Sequence, residues 1–256
     1  MNTVTERETA AAAGAAGGEN ALEIAGLQAW YGESHILHGV DLTVGRGEVV
    51  TLLGRNGAGR TTTLRAIMGL TGRRTGSIRI GGRETIQMPT YRIAHCGVGY
   101  CPEERGIFAS LSCEENLLLP PHIGAKGAKP AEGMSLDEIY AMFPNLAERR
   151  HSQGTRLSGG EQQMLAVARI LRTGANLLLL DEISEGLAPV IVQALARMIL
   201  TLKARGYTVV MVEQNFRFAA PLADRFYVME HGRIVEHFGT AELEAKMPVL
   251  HDLLGV

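Results

Sequence analysis

The chain has 256 residues, 46% of them hydrophobic and 20% charged, with a formal net charge of −2. That length supports one or two globular domains with a sizeable core, and a charge so near balance supplies no basic face, so no nucleic-acid partner is expected. No apolar run approaches the roughly 18 residues needed to span a bilayer, so the chain is expected to be soluble by itself and to meet a membrane only through a partner.

Residues 1 to 20 are rich in Ala and Gly and read as a disordered arm. Glu6, Arg7 and Glu8 are followed by Ala and Gly rather than a Leu-rich core, which is not the pattern of a secretory signal. From Leu22 to Gly47 short alternating segments broken at Gly32 and Gly45-Arg46-Gly47 predict antiparallel strands. Trp30 and Tyr31 place aromatics on a loop there. Such a ring either stacks on a base or sits half-buried on a strand, and local sequence does not choose between the two.

The next stretch, Val49 to Thr63, organises the chain. A β-branched apolar run ends at Gly54, as a buried parallel strand does. Gly54, Gly57 and Gly59 then allow backbone angles that a side chain would block. Arg60 to Met68 reads as a helix stopped by Gly69. A strand, a glycine-rich loop and a helix start converge free N–H groups and a helix dipole on one anion. The segment Gly54-Arg55-Asn56-Gly57-Ala58-Gly59-Arg60-Thr61-Thr62 follows the phosphate-binding loop G-x-x-x-x-G-K-[ST], with Arg60 where the motif has lysine. A nucleotide site is therefore expected here.

Gly76 to Ile80 reads as another edge strand, followed by a turn at Gly81-Gly82. His95 beside Cys96 reads as incidental residues approaching a strand over Gly97–Cys101 rather than a metal pair. Cys96, Cys101 and Cys113 are odd in number and lack paired CxxC spacing, which suits free thiols in a reducing compartment. Ser112 can cap a helix carrying Glu115, and Ser135 with Glu138 has the spacing of a capping box; between them Pro120-Pro121 and residues 124–130 read as a loop. Helices over about 104–172 suggest a helical subdomain inserted in an α/β core.

Ser158 and Glu161 repeat the capping spacing, and Met164, Leu165, Val167, Ala168 and Leu171 make one apolar helical face. Gly159 and Gly160 weaken that helix and leave its N-terminus bare, which suits a second phosphate contact. Leu177 to Leu180 then forms a buried strand ending in Asp181-Glu182, where open α/β sheets bind ligands. Beside a phosphate loop, Asp181 can hold Mg²⁺ with the Thr61 hydroxyl, and Glu182 can orient or deprotonate water. Ala188 to Arg205 reads as a helix, Thr208 to Glu213 as the next parallel strand, and the tail as a strand at Arg225–Met229, a turn at His231-Gly232 and a last helix near Ala241.

The phosphate loop, Leu157-Ser158-Gly159-Gly160-Glu161 and the Asp181-Glu182 strand, in this order, resemble the ATPase subunits of ABC transporters from about Leu22 to the C-terminus. Tyr100-Cys101-Pro102-Glu103, Ile139 to Pro144, Ser184 to Pro189 and Val212-Glu213-Gln214-Asn215 resemble in particular the ATP-binding subunits of branched-chain amino acid importers. Importers of urea and amides share much of this wording. The resemblance implies a single cassette over residues 21–256, an α/β P-loop NTPase core with a parallel sheet, an antiparallel β subdomain and the inserted helical subdomain.

It also implies ATP and Mg²⁺ as cofactors and a head-to-tail sandwich with a sister ATP-binding subunit or a second copy, Ser158, Gly159 and Gly160 of one facing the phosphate loop of the other. Tyr31 matches the adenine-stacking aromatic. Glu103 matches the γ-phosphate-sensing position near the metal, and Gln214 the switch position. A groove between core and helical subdomain receives a membrane permease, served indirectly by a solute-binding protein, so the implied location is the cytoplasmic face of the plasma membrane. Arg60 and Ile183, the latter in place of a proline, depart from the family. A forked, planar guanidinium does not substitute for a compact ammonium, so the expectation is weakened but surviving nucleotide binding with sharply reduced hydrolysis. The alternative function is a slow nucleotide-binding half that supports a catalytic partner ATPase.

Overall fold

The computed structural model describes residues 20–121 and 133–255. The expected disordered arm, but for its last residue, and the loop at 124–130 lie outside them. In chain order the strands and helices are β1 (Asn20–Tyr31), β2 (Ser34–Gly45), β3 (Val49–Gly54), α1 (Arg60–Ile67), β4 (Arg73–Ile80), β5 (Arg83–Glu84), α2 (Thr90–Ala94) and β6 (Val98–Cys101). Four helices follow: α3 (Cys113–Leu118), α4 (Leu136–Met142), α5 (Pro144–Glu148) and α6 (Gly159–Leu171). The remainder is β7 (Leu177–Asp181), α7 (Pro189–Ala204), β8 (Thr208–Val212), α8 (Phe216–Ala219), β9 (Arg225–Glu230), β10 (Arg233–Gly239) and α9 (Leu243–Leu254).

Two sheets carry the architecture. One runs β10-β9-β3-β8-β7-β6, parallel from β9 to β6 with β10 antiparallel at one edge; the other runs β2-β1-β4-β5 and is antiparallel. The apolar runs of β3, β7 and β8 are wholly buried, because layers cover both faces of a central parallel strand. On one face Leu178, Leu180, Val209 and Met211 pack with Leu165 of α6 and Leu195 of α7. On the other, Leu179, Val210 and Leu52 pack with Leu64 and Ile67 of α1 and with Leu22 and Leu27 of the antiparallel sheet.

The Gly76–Ile80 segment, expected at a sheet edge, is corrected by the topology. It belongs to a longer β4 that pairs with β1 on one side and β5 on the other. Gly76, at φ 102, sits where a Cβ would fall 2.5 Å from the Gly26 carbonyl oxygen, so this glycine allows two backbones to meet. The expected caps at Ser112, Ser135 and Ser158 form, each as a full capping box. Short α2 and the β10 hairpin partner were not legible as elements; both are brief and lack a strong period. Among the described residues no helix is long and apolar enough to cross a membrane.

Candidate functional site

The site gathers at the C-terminal ends of β3 and β7, where the loops leaving a parallel sheet form a crevice. Gly54 closes β3; a Cβ there would stand 2.6 Å from the Met229 carbonyl oxygen of the neighbouring β9. Gly59 precedes α1 at φ 105, in the left-handed region, and provides no capping side chain. The first-turn amides of α1 therefore stay directed into the loop. A cleft of about 440 Å³ opens over them, walled by Tyr31, Asn56, Gly57, Arg60, Thr61, Thr62, Glu103 and Glu182. Tyr31 is 38% exposed. Trp30 is engaged elsewhere, stacked at 4.3 Å on His35 and covered by the Arg73 guanidinium at 4.0 Å, which leaves Tyr31 as the open ring.

Thr61 donates its hydroxyl to Asp181 Oδ1 at 3.0 Å, and the Tyr100 hydroxyl reaches Asp181 Oδ2 at 3.0 Å. Burial pushes the Asp181 carboxyl up from its ordinary value, opposed by these two hydrogen bonds. Arg60 is 4% exposed. Its Nη2 donates to Glu182 Oε1 at 2.7 Å and to Asn56 Oδ1 at 3.1 Å, while Nη1 is buried with no partner in the structure. Glu182 holds φ 48, unusual for a residue with a side chain. Its backbone N–H donates to the Val212 carbonyl at 2.9 Å. Burial and the neighbouring Glu185 push the Glu182 carboxyl up to about 7, against the pull of Arg60. Ile183 packs into the core at 1% exposure. It leaves Glu182 without the extended-backbone restriction that a following proline imposes.

Gln214 does not line this cleft. It lines an adjoining one of about 370 Å³ that shares Glu182 and includes Ser184 and Glu213. Glu213 is 1% exposed and accepts from Ser184 N at 3.2 Å and from Ser184 Oγ at 2.7 Å; burial pushes it up to about 7. Arg55 is in the loop only by its backbone. Its side chain leaves and donates to the Leu253 and Asp252 carbonyls at 2.9 and 3.1 Å, on the last turn of α9. The carbonyl of Ala58 accepts from Gly232 N at 2.8 Å, tying the loop to the β9–β10 turn.

Ser158, Gly159 and Gly160 lie outside the phosphate cleft of their own chain. Ser158 Oγ accepts from Glu161 N, and the Glu161 carboxylate accepts from Ser158 N at 2.7 Å. The two glycines have a packing reason that sequence reasoning missed. A Cβ on Gly159 would meet the Arg105 guanidinium at 3.3 Å, and one on Gly160 would meet Ile191 of α7 at 2.7 Å. Arg105, itself at φ 63, donates to Gln163 Oε1 at 3.3 Å and Gln162 Oε1 at 3.1 Å. Thus the loop bearing Glu103 is joined to α6. The trace in sequence is two amides, Gln162 and Gln163, one residue beyond the two glycines.

Comparison with known proteins gives the family. The ABC transporter family model matches residues 37–185. A high-affinity branched-chain amino acid transport ATP-binding protein, BraG of Pseudomonas aeruginosa, is 42% identical over 90% of this chain and 97% of that protein. A probable branched-chain amino acid transport ATP-binding protein, LivF of Archaeoglobus fulgidus, is 34% identical over 84% of this chain and 90% of that one. The lipopolysaccharide export system ATP-binding protein LptB of Haemophilus influenzae is also 34% identical, over 80% and 85%. Among solved structures, an ATP-binding subunit of an ABC transporter superposes with a TM-score of 0.72 at 27% identity, covering 92% of this chain and 95% of that one. A dimeric post-hydrolysis ATP-binding cassette bound to ADP and Pi superposes at 0.73 with 22% identity, over 86% and 98%, which speaks to the fold alone. The α/β core, the phosphate loop with its facing carboxylates and the family match agree: the chain belongs to the ABC transporter family, as one of its ATP-binding and ATP-hydrolysing cassettes.

Proposed function

We propose that this chain is the ATPase subunit of an importer for branched-chain or related amino acids. The observation that carries the substrate class is the 42% identity to a branched-chain amino acid transport subunit along 90% of the chain. The chemistry rests on Thr61, Asp181 and Glu182 standing around one phosphate loop. Tyr31 stacks on the adenine. The amides of Gly54 to Thr62, with Arg60, hold the phosphates. The paired oxygens of Thr61 and Asp181, with Glu103 nearby, fit Mg²⁺, which takes oxygen ligands from one or two carboxylates plus substrate phosphates. Bound there, the ion would neutralise charge across the transferring phosphate. Glu182 orients the attacking water, aided by Gln214, and is the stronger base for having its carboxyl near 7.

On this reading residues 21–256 form one cassette with a helical subdomain at about 104–172. Ser158, Gly159 and Gly160 serve the nucleotide of a facing ATP-binding subunit. A groove of about 610 Å³ between core and α6, walled by Leu70, Pro102, Arg105 and Ile170, receives the permease and holds the chain at the inner face of the plasma membrane. A solute-binding protein then acts indirectly. The ion pair between Arg60 and Glu182 favours a second reading, a slow half supporting a partner ATPase.

The test is uptake of labelled leucine, isoleucine and valine by cells lacking the chain. The unaltered chain should restore uptake, and Asp181→Asn should not. Undiminished uptake in the deletion strain would remove the amino-acid assignment. The slow-half reading predicts that Asp181→Asn still restores uptake.

A further inference from the structure

The Arg60 guanidinium and the Glu182 carboxylate are each placed to do something else in the proposed ATPase. One is wanted by phosphate, the other by water, and the structure commits them to each other. Arg60 Nη2 is taken by Glu182 at 2.7 Å and Asn56 at 3.1 Å. Its other terminal nitrogen, Nη1, is buried and has no acceptor among the described residues. Arg60 is 4% exposed and both hydrogens of Nη2 are already committed, so Nη2 meets a phosphoryl oxygen only if the guanidinium turns from its present partners. Turning breaks the bond from Nη2 to Glu182. A buried donor without an acceptor is itself a strained arrangement, and a phosphoryl oxygen relieves it.

We infer that Arg60 and Glu182 form a latch on the phosphate site: the polyphosphate of a nucleotide and the Glu182 carboxylate compete for one guanidinium, and phosphate binding sets Glu182 free. The inference rests on the nucleotide reading above and adds a regulatory device to it. The forked guanidinium makes the competition sharp, because it matches carboxylate and phosphate geometry alike. With the latch closed, the carboxylate that would orient water is engaged. With it open, Arg60 meets phosphate and Glu182 meets water together, so readiness for hydrolysis follows occupancy.

The experiment is MgADP affinity by titration calorimetry, since ADP reports on phosphate binding without turnover. The unaltered chain is compared with Glu182→Gln and Glu185→Gln. Both substitutions take a carboxylate from the same cleft wall, but only the first weakens the hold on Arg60, leaving it a neutral amide acceptor in place of a charged one. Glu182→Gln should tighten MgADP about tenfold or more, the size of a lost charge-assisted hydrogen bond. Glu185→Gln should leave affinity within about twofold, because Glu185 is not among the hydrogen-bond partners of Arg60. In an Arg60→Met background, which keeps the buried volume, Glu182→Gln should change affinity less than about twofold. Equal tightening by the two glutamine variants would mean simple charge relief and overturn the latch, as would no change with Glu182→Gln. Failure of all three proteins to bind ADP or ATP would instead remove the nucleotide reading, and the latch with it. If Arg60→Met does not fold, the two glutamine variants decide the question alone.

Discussion

Two helix N-termini of this molecule, those of α1 and α6, each begin beside glycines, and they use them in opposite ways. At α1 the glycines serve the backbone. Gly57 and Gly59 take φ 81 and 105, no side chain caps the helix, and the amides remain free for an anion. At α6 the glycines serve packing. Ser158 caps the helix with Glu161, and the glycines yield space to Arg105 and Ile191. The surroundings differ as well. The α1 mouth is walled by charge, buried Arg60 and half-buried Glu182, with buried Asp181 and Glu213 close behind. The α6 mouth is exposed at Ser158 and Gly159 and carries hydrogen-bonded amides. One end is built to hold a ligand within the chain; the other is braced from within and faces outward.

Breaking the packing at α6 should have the largest effect on stability. Gly160→Val sets side-chain atoms against three Ile191 atoms already 2.7 to 3.0 Å from an ideal Cβ. Overpacking of this kind should cost about 2–3 kcal/mol, read as a lowered midpoint in urea. Adding Ile191→Ala should recover part of that loss. If the valine is harmless, the glycine serves the bare helix mouth rather than packing.

The charged end should reveal itself through pH. Glu213 has its folded-state carboxyl near 7 against an ordinary 4.5. Between those values the folded state binds more proton than the unfolded one, so stability falls as pH rises through this window. The expected loss from pH 5 to pH 8 is at most about 2.5 kcal/mol from this group. Glu213→Gln, which still accepts from Ser184 N, should flatten that part of the curve. An unchanged slope would mean that the Ser184 hydrogen bonds keep the carboxylate ionised.

The smallest effect should come from the α6 cap. Ser158→Ala removes the acceptor of Glu161 N and should cost about 1 kcal/mol in thermal unfolding. A much larger loss would show that Ser158 does more within the chain than cap its helix.

Much of this site was legible in sequence because it is local. The spacing from Gly54 to Thr61 fixes a strand, a turn and a helix start within a dozen residues, and a serine three residues before a glutamate is enough for a capping box. Asp181-Glu182 was legible because a continuous apolar run ending in carboxylates marks the end of a buried strand. Arg55 was readable only as a loop residue. Nothing adjacent to it tells that its side chain caps α9, where it satisfies helix-end carbonyls and complements the helix dipole. β4 was readable as a strand but not as an interior one, since sheet neighbours come from distant segments.

By itself, then, the sequence determined the periodicities, the caps, the glycines that need unusual backbone angles and the order of motifs that assigns the family. The tertiary structure alone decided whom the charged groups meet. Arg60 and Glu182 are 122 positions apart, and Arg105 and Gln163 are 58 apart. No local interaction links such pairs; they meet because β3 and β7 run parallel within one sheet and because α6 packs back on that sheet. Partner choice for a side chain is set by where the fold brings distant backbone together, which short-range spacing does not encode.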